Sequence, residues 1–147
     1  MEKNKKMLNP EDGYLGYLLR RAAGTYKQKM ESALSEYGIT APQFTILTVI
    51  ASAPGASNAD IARVAFLSPQ TVNEIISRLE KRTLIQRSPH EFYKKIQKIA
   101  LTDEGESLLA SCSTVVGQLE NRLQSGMSES EKATVLKWFE QIMHLPD

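Results

Sequence analysis

The chain has 147 residues, 41% of them hydrophobic and 24% charged, with 18 Lys and Arg against 17 Asp and Glu. A chain of this length buries roughly 68–70% of its unfolded surface and needs no disulfide staple. Cys112 is its single cysteine, which excludes an intramolecular disulfide and makes the reducing cytoplasm the expected compartment. The opening MEKNKKMLNPEDG is too polar to read as a signal peptide, and no apolar run approaches the roughly 20 residues that cross a bilayer.

The formal net charge of +1 hides an asymmetry along the chain. Residues 1–56 carry a balance of +2, residues 57–62 of −1, residues 63–98 of +5 and residues 99–147 of −5. A basic middle beside an acidic C-terminal segment is expected where one part of a molecule meets a phosphate backbone.

In chain order, Pro10 to Tyr37 reads as a long helix whose apolar positions are Tyr14, Leu18, Ala22, Met30, Ala33, Leu34 and Tyr37, ended by Gly38. Gly24 inside it costs about 1 kcal/mol against Ala and marks a kink or a close helix contact. Thr40 caps a second helix, with Pro42 in its first turn, Gln43 at the capping-box position and Phe44, Leu47, Val49 and Ile50 as its buried surface. Ala53-Pro54-Gly55 stops it. Ser57 with Asp60 opens a third helix, in which Ile61, Ala62 and Ala65 are apolar and the small Ala62 permits a close helix crossing.

Ser68 and Pro69 then define the start of a fourth helix that meets no further Pro or Gly before Leu84. At 100° per residue Val72, Ile75, Ile76 and Leu79 fall on one stripe, leaving Gln70, Asn73, Glu74, Ser77, Arg78 and Lys81 outside it. Ile85–Ser88 and Lys95–Leu101 are β-prone runs joined by Pro89 to Lys94, a ribbon with a basic tip. Ile96 falls on the face opposite Ile99 and Leu101, which calls for a bulge or for Ile96 tucked against the loop. Phe92 and Tyr93 at the tip have the shape to pack on sugars or bases, but aromatics in hairpin loops more often fold back on their own stem, and that is the expectation here. Thr102, followed by Asp103 and Glu104, caps a helix running through Leu108, Leu109, Val115, Val116, Leu119 and Leu123 to Gly126. Ser128 with Glu131 opens the last helix, whose apolar positions are Val135, Leu136, Trp138, Phe139, Ile142 and Met143.

The fold class is therefore mainly α with a small β-wing: a winged helix-turn-helix with N- and C-terminal helices forming a dimerisation region. The organisation expected is dimerisation helices over 11–38 and 103–145 around a DNA-binding lobe over 40–102. The apolar last helix and the long first helix have more surface than a small helix-turn-helix core can cover, which favours a second subunit.

From residue 13 to 145 the chain resembles the MarR family of bacterial transcriptional regulators. The resemblance rests on ITAPQFTIL at the second helix, on DIARVAFLSPQTVNEIISRLEKRTLI as the helix-turn-helix and on IALTDEG closing the wing. It implies a homodimer held by the first and last helices, with recognition helices (Ser68 to Arg82) in the major groove and wings (Arg87 to Lys98) in the minor groove. The pattern is departed from in two places. The wing's usual Asp-Arg-Arg stands as Tyr93-Lys94-Lys95, so an acidic brace is missing and lysine, a strongly hydrated point charge, replaces the minor-groove arginine. The glycine common after the recognition helix is Thr83.

Base readout is expected from Gln70, Thr71, Asn73 and Arg78, since amides pair bidentately with adenine. Ser68 and Thr71 touch phosphate or cap the helix, and Arg63, Lys81, Arg87, Lys94 and Lys95 contact phosphate, which makes affinity salt-dependent. The resemblance also implies a cleft for a small aromatic or phenolic acid, to which Tyr14, Tyr17, Arg20, Arg21 and Phe44 are the matching candidates. Cys112 is expected to be an inert buried thiol, and His90 and His144 form no metal-spaced cluster with it, so neither cofactor nor metal is expected. The best-supported function is a ligand-responsive homodimeric repressor of a pseudo-palindromic operator. The alternative is a winged-helix protein-interaction module with weakened or lost DNA binding, motivated by the altered wing. An enzyme is disfavoured: the chain has no glycine-rich phosphate loop, nucleophile elbow or paired His and carboxylate spacing.

Overall fold

The computed structural model describes residues 13–147, so the expected helix start at Pro10 lies outside the described residues. Helix α1 spans Leu15–Leu34 and passes through Gly24 without interruption, and the expected tail of this helix is a separate 3-10 turn, Ser35–Tyr37, closed by Gly38 at φ 64°. Helix α2, Ala41–Ser52, is opened by a full capping box in which Thr40 and Gln43 satisfy each other's backbone N–H. The Glu31 carboxylate accepts from the Ala41 N–H at 3.2 Å, joining α1 to this start. Ile46, absent from the expected face of α2, is fully buried along with Leu47 and Ile50, whereas Phe44 and Val49 are half-buried. The reason is that α2 is apolar nearly all round, so periodicity does not choose a side.

Helices α3, Asn58–Ala65, and α4, Pro69–Lys81, form the helix-turn-helix. Strands β1, Ile85–Pro89, and β2, Gln97–Leu101, pair antiparallel with Ile85 opposite Leu101 and Pro89 opposite Gln97. Gly55 and Ala56 bond to Ile99 from its other side at 3.3 Å, adding a short third rung. The second strand thus begins two residues later than expected. Ile96 is neither bulged nor tucked: its N–H closes a turn onto the Tyr93 carbonyl at 2.8 Å, and it stays exposed ahead of the ladder. Its place outside the alternation is why it falls on the wrong face.

Helix α5, Asp103–Gln124, starts where Thr102 Oγ1 accepts from the Gly105 N–H at 3.0 Å. The described residues divide into two compact units, 13–116 and 117–147. In the first, Leu34, Ile46, Leu47, Ile50, Ile61, Val72, Ile76, Leu79, Ile99 and Cys112 make one core from α1–α5 and the sheet. Burial pushes the Cys112 thiol up, against a weaker opposing pull from Arg82, which is the inert state expected. The second unit holds the end of α5 and α6, Glu129–Met143, which Ser128 and Glu131 cap reciprocally. No residue of α6 is buried, and Leu136, Phe139 and Met143 are exposed. No helix among the described residues is long and apolar enough to cross a membrane.

Candidate nucleic-acid interface

Helix α4 is fixed by its apolar stripe and capped for a sharp start. Val72, Ile76 and Leu79 have no exposure and Ile75 is half-buried, so the remaining face is held in one orientation. Ser68 Oγ accepts from the Thr71 N–H at 3.1 Å and lies 2.8 Å from Thr71 Oγ1. The Ser68 hydroxyl therefore caps the helix and is itself held by that of Thr71. Gln70, Thr71, Asn73, Glu74, Ser77, Arg78 and Lys81 are all exposed, as the wheel requires.

Asn73 is less free than its position suggests. Its Oδ1 accepts from Asn58 Nδ2 at 2.9 Å, a bond across the α3–α4 crossing that sets the amide plane. One lone pair of Oδ1 and both Nδ2 hydrogens remain for a base edge. Arg63 and Arg87, expected on phosphate, are each held by a carboxylate: Arg63 by Asp60 at 2.8 Å and Arg87 Nε by Glu80 at 2.9 Å. Ser57, through its hydroxyl and its N–H, holds the Asp60 carboxyl below the usual aspartate range, with a smaller contribution from Arg63. Arg78, Lys81, Lys94 and Lys95 have no carboxylate within 4 Å among the described residues. Arg82 belongs to the scaffold, donating to the carbonyls of Gly38 at 2.7 Å and Tyr37 at 3.3 Å.

Two backbone positions near this face lie in the left-handed region without glycine. Phe66, the residue that ends α3, has φ 55° and is 95% exposed. Thr83 has φ 60°, a rare conformation for a β-branched residue. It is over-determined by its neighbours: Thr102 Oγ1 donates to its carbonyl at 2.6 Å, and its own hydroxyl lies 2.6 Å from both the Arg82 carbonyl and Glu104 Oε2. Nothing in a single sequence marks Phe66 as left-handed, whereas Thr83 stands at a turn where glycine is the relaxed choice.

The wing tip departs from expectation. Phe92 and Tyr93 do not fold back on the stem; they are 81% and 65% exposed. His90 Nδ1 accepts from the N–H groups of both, at 3.2 and 3.3 Å, and this local turn throws their side chains outward. The expected effector residues Tyr14, Tyr17, Arg20 and Arg21 lie exposed at the start of α1, and Phe44 is half-buried against the core. None of the five lines the open pocket of about 420 Å³ whose lining includes Ile50, Pro54, Leu101, Glu106 and Leu109.

A capped helix presenting amides, hydroxyls and unpaired cations, flanked by a basic ribbon, defines a winged helix-turn-helix DNA-binding protein rather than an enzyme. The MarR family model matches residues 39–92, from the start of α2 into the wing. Over this segment the chain is similar to the MarR family. It is similar to the HTH-type transcriptional repressor Rv2887 of Mycobacterium tuberculosis, at 27% identity over 90% of this chain and 95% of that one. A mutant MarR from E. coli complexed with operator DNA aligns with TM-score 0.81 and 25% identity over 95% of this chain and 99% of that one. Bordetella bronchiseptica BpsR, whose DNA binding is regulated by 6-hydroxynicotinic acid, aligns with TM-score 0.81 and 21% identity over 91% and 96% of the two chains.

Proposed function

We propose that this chain is a ligand-responsive homodimeric repressor that binds a pseudo-palindromic operator. What supports the reading is the fixed, exposed face of α4, which carries Gln70, Asn73 and Arg78; in this reading the two amides serve adenine edges and Arg78 serves guanine or phosphate. Ser68 and Thr71 serve the helix start, and Lys81, Lys94 and Lys95 serve phosphate. Arg63 and Arg87 join them once phosphate competes with Asp60 and Glu80.

A second copy is supported by the apolar side chains left uncovered in the single chain. Leu15 and Tyr17 of α1 are exposed, as are Leu136 and Met143 of α6, in the two segments expected to dimerise. Two-fold symmetry then requires half-sites about 34–36 Å apart. An effector of the aromatic-acid class is supported by BpsR, with Tyr14, Tyr17, Arg20, Arg21 and Phe44 as the groups to hold a ring and a carboxylate.

The test is a fluorescence-anisotropy titration of a labelled duplex taken from upstream of the chain's own gene, run across a salt series. Tight binding whose log K falls steeply with log salt is expected. Absent or salt-insensitive binding overturns the reading. Release of the bound duplex by 6-hydroxynicotinic acid or another aromatic acid tests the effector part separately.

A further inference from the structure

We propose that the wing tip of this chain is an aromatic wedge for the minor groove, with Phe92 and Tyr93 making the groove contact and His90 positioning them; the inference rests on the reading of the chain as a DNA-binding regulator. Phe92 and Tyr93 are among the most exposed large side chains in the first unit. Their exposure is built in. His90 Nδ1 accepts from both of their backbone N–H groups, which fixes the turn. The His90 ring then sits 5.5 Å from the Tyr93 ring and 6.2 Å from the Phe92 ring, so the three form a small tilted aromatic group at the tip.

The occupant follows from charge and from continuity with α4. Lys94 and Lys95 come directly after the aromatic pair and carry no carboxylate within 4 Å among the described residues, so the apolar tip is flanked by available cations. A duplex groove offers the matching surface: sugars and base edges between two rows of phosphates. The wing is tied to the recognition helix by the Arg87–Glu80 pair, which places the stem of the ribbon beside the end of α4. The compact loop from His90 to Ile96 is closed by two backbone bonds, His90 N–H to the Ile96 carbonyl at 2.9 Å and Ile96 N–H to the Tyr93 carbonyl at 2.8 Å. A rigid tip of this kind loses little conformational freedom when it enters a groove. Division of labour results: lysines neutralise phosphate, and the rings take the apolar contact in place of an inserted cation.

The experiment compares wild type, Phe92→Ala/Tyr93→Ala, Lys94→Ala/Lys95→Ala and His90→Ala on the duplex from upstream of the chain's own gene. Affinity across a salt series is joined to two footprints, hydroxyl radical for minor-groove sugars and dimethyl sulfate for major-groove guanine N7. Because both rings are exposed, the melting temperature of the aromatic double variant should match wild type. Its affinity should fall about tenfold or more with an unchanged salt slope, since stacking contacts are not ionic. Hydroxyl-radical protection outside the recognition-helix contacts should disappear while guanine protection persists. The lysine double variant should instead flatten the slope by about 2. His90→Ala should move in the direction of the aromatic variant. Wild-type footprints with an aromatic double variant that binds within twofold and keeps its minor-groove protection overturn the wedge alone. No footprint from wild type overturns the regulator reading and the wedge with it.

Discussion

Replacing Gly105 with alanine tests how tightly the first turn of α5 is pressed against the link between recognition helix and wing. A Cβ built on Gly105 overlaps the Leu84 carbonyl oxygen and lies 2.9 Å from its carbon and 3.3 Å from its Cα. The obstacle is backbone, and it is pinned: the Leu84 oxygen accepts from the Thr102 N–H at 3.1 Å, and the Leu84 N–H donates to the Leu79 carbonyl at 3.0 Å. Overpacking of a rigid core costs about 1–3 kcal/mol, and displacing the Leu84 carbonyl from Thr102 adds about 1 kcal/mol. Against this, alanine in place of glycine in a helix returns about 1 kcal/mol. The net loss is about 2–3 kcal/mol, because a backbone oxygen yields less than a side chain. At roughly 2–4 °C per kcal/mol for a chain of this size the melting temperature should drop by about 4–12 °C. Thermal melts by circular dichroism, with urea titrations checked for an unchanged m-value, measure it. A Gly105→Ala variant as stable as wild type would show that the joint yields and that its packing has been overestimated.

Gly24→Ala should do the opposite, since a Cβ there meets nothing within 4 Å: the same melts should show a gain of about 0.5–1 kcal/mol. Phe66→Gly relieves a left-handed residue that buries nothing, so unfolding titrations should give a gain of up to about 1 kcal/mol. Glu80→Ala removes the carboxylate that holds Arg87, and anisotropy in a salt series should show a slope steeper by up to about 1 as the guanidinium turns to phosphate. The Asp60 carboxyl is lowered by its bonds from Ser57, so its stabilising contribution is full above the unfolded value of 3.8 and is lost as pH falls through the lower folded value. NMR titration should therefore find Asp60 below 3.8 in wild type and shifted up toward it in Ser57→Ala.

The helix starts were legible because capping is local. Thr40 with Gln43, Ser57 with Asp60 and Ser128 with Glu131 each act over three residues, and all three boxes close as their spacing predicts. The exposed face of α4 was legible for a related reason: its apolar stripe is narrow and its polar residues fill the rest of the wheel. What remained hidden is what the fold brings together from a distance. Asn58 and Asn73 are fifteen residues apart, Arg82 and Gly38 forty-four, and Thr83 and Glu104 twenty-one, and no period links them. The aromatic tip was misjudged because the statistics of hairpin loops are silent about one histidine accepting two backbone N–H groups. Arg87 is expected on phosphate from its place in the basic wing, and no period of the sequence foretells its pairing with Glu80.

The contacts of Thr83, Thr102 and Gly105 work like a weld. The end of α4, the start of β1 and the first turn of α5 meet there within hydrogen-bond range and without slack for an extra methyl group. The end of α4 and the start of α5 thus share one joint, at which neither can shift without disturbing a hydrogen bond or a close contact of the other. In the proposed repressor, a signal arriving at that joint would move helix and wing together and leave the order of the side chains along α4 unchanged.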